Sequence, residues 1–168
     1  MKLILNLFLD LCLLRIGPQN IPAAPVLFWY TALLNILINI VILWQDPKRT
    51  LIRIIGESVL DVMILLAILH VALRWQKLNA RFEQTATAIL GSNVLLGCMM
   101  VLLPNDRTLG FINEISLLIL LCLIIWQFLI LGHILRHTFN MLLSQGIIIG
   151  VIYTLLSYTI LGIVFLTT

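Results

Sequence analysis

Residues 112–135 read INEISLLILLCLIIWQFLILGHIL, twenty-four positions with a single carboxylate, Glu114, near the start. Coiled as an α-helix, such a stretch is about 36 Å long, more than the ~30 Å hydrocarbon core of a bilayer. Nothing so uniformly apolar can be the surface helix of a water-soluble domain, so this segment is read as a membrane span. Working outward, four more stretches reach the ~20 mostly apolar residues that a crossing needs: 26–44, 54–75, 85–103 and 146–166. The connections 45–53, 76–84, 104–111 and 136–145 are short. Loops of that length join antiparallel neighbours, and the expected fold is an all-α membrane protein with five transmembrane helices in a compact bundle.

Composition agrees. Of 168 residues, 62% are hydrophobic and 10% charged, with a mean hydropathy of +1.16, whereas a soluble domain carries roughly 25% charged residues. The length suits one domain. The net charge of +3 is too dispersed to form a nucleic-acid-binding face, which leaves the lipid bilayer as the expected partner. Cys12, Cys98 and Cys122 are odd in number and far apart, so neither a disulfide framework nor a zinc site is indicated and packing roles are expected. No cofactor is called for. Lys2, an apolar run and Pro22-Ala23-Ala24-Pro25 imitate a signal peptide, but Asp10 sits within the apolar run and opposes that reading.

The first sixteen residues differ from the rest. Lys2, Asn6 and Asp10 recur every four positions on a Leu-rich segment, which draws one polar stripe along a helix too short to span comfortably, so that an interfacial helix is expected ahead of the alternative, a sixth crossing. An amphipathic helix lying in the interface is expected over residues 1–25, with Gly17-Pro18 and the Pro22 to Pro25 stretch as the elbow into the bundle. All five prolines (Pro18, Pro22, Pro25, Pro47, Pro104) fall at expected helix ends or loops. With no internal repeat and no broken span, the layout of many secondary transporters is not matched. Trp29, Trp44 and Trp75 fall near span ends as aromatic anchors, while Trp126 is expected inside the bundle. Six Lys and Arg (Lys2, Arg15, Arg74, Lys77, Arg81, Arg136) gather on the N-terminal side and four (Lys48, Arg49, Arg53, Arg107) on the other. That excess favours a cytoplasmic N-terminus and an external C-terminus.

Asp61 is the first candidate for chemistry. It lies about 10 Å along the second span, where a charged carboxylate costs about 2.5–3.5 kcal/mol on insertion scales. Arg53, Glu57 and Asp61 form an i, i+4, i+8 stripe, and Arg53 can neutralise Glu57 without reaching Asp61. Thr31, Asn35 and Asn39 form a second such stripe on the first span. An antiparallel hairpin turning at Pro47 sets Asn35 and Asn39 beside Asp61, with Asn93 and Ser157 or Tyr158 at similar depth. The cluster Asp61, Glu57, Asn35, Asn39 and Asn93 is either a polar pocket for a cation, a proton or a lipid headgroup, or a set of interhelical hydrogen bonds that fixes packing.

His133 and His137 are spaced i, i+4 at the end of the fourth span, with His70 on the same side. His70 and His133 are weak candidates for a metal or haem iron, and stabilisation of a helix C-terminus explains His137 with Arg136 more simply. Gly146 and Gly150 make a G-x-x-x-G, and Thr87 with Gly91 repeats a small-x-x-x-small pattern. Such ridges let helices approach closely, either within one chain or in a homo-oligomer. No G-x-S-x-G, H-E-x-x-H or P-loop pattern occurs, so no enzymatic activity is expected.

The stretch Arg81-Phe82-Glu83-Gln84-Thr85-Ala86-Thr87-Ala88-Ile89-Leu90-Gly91 resembles the lead into the third span of bacterial Yip1-domain polytopic proteins, and Trp126 to His137 resembles the end of their fourth. Residues Leu9 to Pro25, including Arg15-Ile16-Gly17-Pro18-Gln19, are similar to small bacterial inner-membrane proteins. The resemblance implies a membrane-organising or partner-binding protein without catalysis. The leading expectation is accordingly a non-enzymatic inner-membrane scaffold or accessory subunit that acts through helix contacts with a partner or itself. A small channel or proton-coupled carrier built on Asp61 is the alternative.

Overall fold

The computed structural model describes residues 2–46, 48–103 and 110–166. Pro47, Pro104, Arg107 and Thr168 lie outside the described residues. Six helices and no strand are found among them: α1 (Lys2–Cys12), α2 (Pro25–Trp44), α3 (Leu51–Trp75), α4 (Phe82–Val101), α5 (Gly110–Phe139) and α6 (Leu143–Leu166). Helices α2 to α6 are long and apolar enough to cross a membrane, and they pack as one compact bundle. This is an integral, multi-pass membrane protein by its helices, with bounds within four residues of those read from hydropathy.

Alternating direction gives the bundle two ends. The Pro25 end carries the starts of α2, α4 and α6 and the finishes of α3 and α5, while the Asp46 end carries the opposite termini. Pro25 opens α2 at its first position, where the missing N–H costs nothing and φ is already set for a helix. The helices finishing at the Pro25 end stop in the same way as α1 does. Leu14, Lys77 and Asn140 each adopt positive φ (60°, 58° and 53°), and the next N–H reaches back five residues to a carbonyl: Arg15 to Asp10, Leu78 to Leu73, Met141 to Arg136. These are Schellman turns, which satisfy carbonyls the helix leaves open.

Helix α4 is the hub. It packs against α1, α2, α3 and α5, whereas α6 lies outside against α5 and α3. Small side chains explain the position: Thr85 through Ser92, including Ala86, Ala88 and Gly91, are all buried. A Cβ on Gly97 would meet Ile38 of α2 at 3.0 Å, so the two helices are already in close contact there.

Helix α1 has eleven residues, too few to span. Phe8, Leu11 and Cys12 are buried on one face, and Asn6 of the polar stripe is exposed. The apolar face is received by α4, where the Phe8 ring fills the space left by Gly91. Trp126 of α5 donates from its indole nitrogen to the Cys12 carbonyl at 2.9 Å, so this Trp is indeed an inward-facing residue. Beyond α1, Pro18–Asn20 form a 3-10 turn and residues 21–24 link it to α2 with a tight turn in which the Ala24 N–H bonds the Pro22 carbonyl at 3.0 Å, making the elbow that the Gly-Pro and Pro22 to Pro25 stretches foretell.

Helix α6 packs against both α5 and α3. Near its start a Cβ on Gly146 would meet the Gly132 carbonyl oxygen of α5 at 2.5 Å, and Gly150 rests on Leu131. Near its finish the Phe165 ring lies against Gly56 of α3. The small-residue ridge of Gly146 and Gly150 therefore packs within the chain.

Candidate functional site: a polar cleft at the Asp46 end

A cleft of about 390 Å3 lies between α2, α3, α4, α5 and α6. Its lining is polar for a membrane bundle: Asn39, Arg49, Arg53, Glu57, Asp61, Asn93, Gln127, Tyr153, Ser157 and Tyr158 all reach it.

Charge at the mouth is organised around Glu57, whose side chain is only 10% exposed. Arg53, one turn earlier on α3, donates from Nε to Glu57 Oε1 at 2.7 Å, and Arg49 of the α2–α3 connection donates from Nη1 to Oε2. Arg49 also donates from Nε to Asp46 at 3.1 Å, and the Arg53 guanidinium lies 5.9 Å from the Phe165 ring centroid, within cation–π range. Asp46 in turn accepts from the Lys48 backbone N–H at 3.1 Å. That bond, with the Arg49 guanidinium, holds its carboxyl below the ordinary value of 3.8.

One turn deeper the pattern changes. Asp61 makes no ion pair among the described residues, and its hydrogen-bond partner is a neutral one: Ser157 of α6 donates from Oγ to Oδ1 at 3.0 Å. Ser157 is buried. Tyr153 stands one turn before Ser157 on α6, and Tyr158 follows it, both on the cleft wall. A carboxylate is thus set into a roomy polar recess with hydroxyls and amides nearby and its one-turn neighbour Glu57 already committed to two arginines.

The structure brings together Asp61, Glu57, Asn39 and Asn93 on this cleft and leaves Asn35 out of it. Asn35 is buried against α4, where Nδ2 donates to the Leu90 carbonyl at 3.4 Å. Its Oδ1 accepts from Asn39 Nδ2 at 3.3 Å. The expected pair of amides flanking Asp61 is corrected accordingly: Asn35 fastens α2 to α4, Asn39 gives one of its two N–H groups to Asn35, and α6 supplies the hydrogen bond to the carboxylate. Arg49, Gln127 and Tyr153 are cleft residues that the sequence reading did not single out. Tyr153 and Ser157 are spaced i, i+4, which is the signal that was there to be used.

The other candidates have structural employment. His133 Nε2 lies 3.0 Å from the Ile16 carbonyl, and since a carbonyl only accepts, that nitrogen carries a proton. Its ring meets that of His137 edge-on at 4.5 Å. His70 is exposed and stacks edge-on with Phe82 at 5.4 Å. Among the described residues no three His, Cys, Asp or Glu side chains form a group that could hold a metal ion. Gly91, Gly146 and Gly150 are contact points for Phe8, Gly132 and Leu131.

The chain matches no protein-family model, no curated protein and no solved structure.

Proposed function

We propose that the protein is a non-enzymatic membrane protein that takes a proton or small cation at Asp61, as a small channel or proton-coupled carrier. The observation that carries this reading is the contrast within one cleft. Glu57 has two arginines, while Asp61, one turn deeper, has a hydroxyl. An ionised carboxylate at that depth costs about 2.5–3.5 kcal/mol, and a single hydrogen bond from a neutral donor returns only part of it. A proton or cation arriving through the cleft offsets the remainder. Carboxylates inside membrane bundles mark proton and ion pathways for this reason.

The excess of Lys and Arg at the Pro25 end supports a cytoplasmic N-terminus in a bacterial plasma membrane, with the cleft opening outward. A scaffold acting through helix contacts with a partner or a second copy draws its support from exposed apolar faces alone, and lipid covers such faces equally well.

The test is proton flux in liposomes holding the purified protein, read with an entrapped pH-sensitive dye after an imposed pH step. Wild type should dissipate the gradient faster than empty liposomes. Asp61→Asn should keep the fold, since the amide still accepts from Ser157, and lose the flux. Sodium and potassium gradients without a pH step separate a cation path from a proton path. Equal flux in wild type and Asp61→Asn, or none in wild type for any of these ions, would overturn the reading.

A further inference from the structure

At the Pro25 end a second cavity, of about 250 Å3, opens between the 3-10 turn after α1, the start of α4 and the finish of α5. Its one formal charge is positive: Arg81 lines it, no Asp or Glu does, and Arg81 makes no ion pair among the described residues. The cleft at the other end is the opposite case, with each arginine of its mouth set on a carboxylate.

The floor is closed in on itself. Thr138 donates from Oγ1 to the Ile134 carbonyl at 2.8 Å, so its hydroxyl oxygen receives the proton of Thr85 Oγ1, 3.3 Å away. Neither buried threonine calls for a cation. At the rim, Arg81 donates from Nη1 to the Thr138 carbonyl at 3.0 Å. One corner of the guanidinium is pinned and its remaining N–H groups are left to offer. Gln19 and Asn140, both exposed, add amide donors beside it, and His137 always has at least one N–H to give.

We propose that this cavity binds a phosphate group, carried either by an anionic phospholipid headgroup or by free phosphate. A guanidinium fixed at one nitrogen presents a planar fork suited to a tetrahedral oxyanion. The volume, several times the ~30 Å3 of a liquid water, admits the phosphate with part of a glycerol headgroup. The depth agrees: Trp75, 87% exposed at the finish of α3, stands at the same end, where Trp side chains mark the headgroup layer. Arg74, Lys77 and Arg136 belong to that end too, so the field around the cavity attracts anions. This site is independent of the reading of Asp61.

The experiment uses the full chain in uncharged detergent. Thermal stability is measured with added phosphatidylglycerol against phosphatidylcholine, and with inorganic phosphate against chloride at equal ionic strength; lipid adducts are counted by native mass spectrometry. Stabilisation by phosphatidylglycerol with retained adducts identifies a headgroup, and stabilisation by inorganic phosphate without lipid retention identifies free phosphate. Arg81→Gln should weaken either by roughly tenfold or more, the worth of one charge-assisted hydrogen bond. Because Arg81 also ties α4 to α5, Gln19→Glu serves as the second variant. It keeps the Arg81 to Thr138 bond, gives Arg81 and His137 a carboxylate, and should abolish the stabilisation while the folded protein persists. The proposal is overturned if neither probe stabilises wild type beyond its control, or if Gln19→Glu binds as wild type does.

Discussion

Replacing Gly146 with alanine adds one methyl group, and the structure says where it goes: 2.5 Å from the Gly132 carbonyl oxygen. Comfortable carbon–oxygen contact is about 3.3 Å or more, so α5 and α6 must separate locally by about 0.8 Å. Both atoms nearest the clash belong to backbone, and no side chain can rotate out of the way. A gap of 0.5–1 Å forfeits a quarter to a half of each van der Waals well along the seam. Lipid offers no hydrophobic penalty that would hold the helices together meanwhile. The expected cost is about 1–3 kcal/mol, the usual range for over-packing. Gly162, on the same helix, has nothing within 4 Å of its virtual Cβ, so Gly162→Ala should be neutral or gain up to about 1 kcal/mol from backbone entropy. Equilibrium unfolding of the two variants in mixed micelles, with the oligomeric state followed by light scattering, decides it. Similar stability of the two would refute the close α5–α6 approach. Loss of a dimer in Gly146→Ala with an unchanged monomer would show that the glycine ridge serves association between chains.

Three further outcomes are expected. Trp126→Phe removes the indole donor from the Cys12 carbonyl and should cost about 0.5–1.5 kcal/mol, seen as faster amide exchange over residues 4–13 with the spans unaffected. Burial pushes the Cys12 thiol up to about 11, so it stays a thiol at pH 8. Maleimide should leave it unmodified in the folded protein and label it after denaturation, as mass spectrometry of the N-terminal peptide would report. Asp46, with its pKa lowered in the folded protein, contributes stability above its unfolded pKa and loses it as pH falls through the lower folded value. An acid titration of unfolding should therefore show a component below pH 3.8 that Asp46→Asn abolishes.

Hydropathy alone delivers the five spans, because the bilayer imposes length and apolarity on each helix separately. The short connections then leave little choice but an antiparallel bundle. What hydropathy cannot carry is rotation about each helix axis. Asn35 and Asp61 are at matching depth by simple register, yet α2 turns Asn35 toward Leu90 of α4. Nor does a per-helix reading reveal which helices become neighbours: Ser157 meets Asp61 because α6 packs against α3 as well as α5. Arg49 enters the cleft by folding back from a connection, and such positions have no periodicity to betray them. The docking of α1 has a partial signature, an aromatic at position 8 and a glycine at the centre of α4, but a ring and a notch in distant segments do not announce each other.

The residues that suit α4 to the centre of the bundle make it the weakest span by hydropathy, at 1.3 against 2.1 to 2.7 for the others. Insertion from the translocon is decided segment by segment, by how readily each helix partitions into lipid. Thr85, Thr87, Ser92 and Asn93 all argue for staying in the channel. Helix α3 emerges first, with its C-terminus joined to α4 by a few residues, and its lipid-ready surface can carry the hesitant helix in as a hairpin. The hub of the finished molecule is therefore a passenger during biogenesis, dependent on neighbours that it will later hold together.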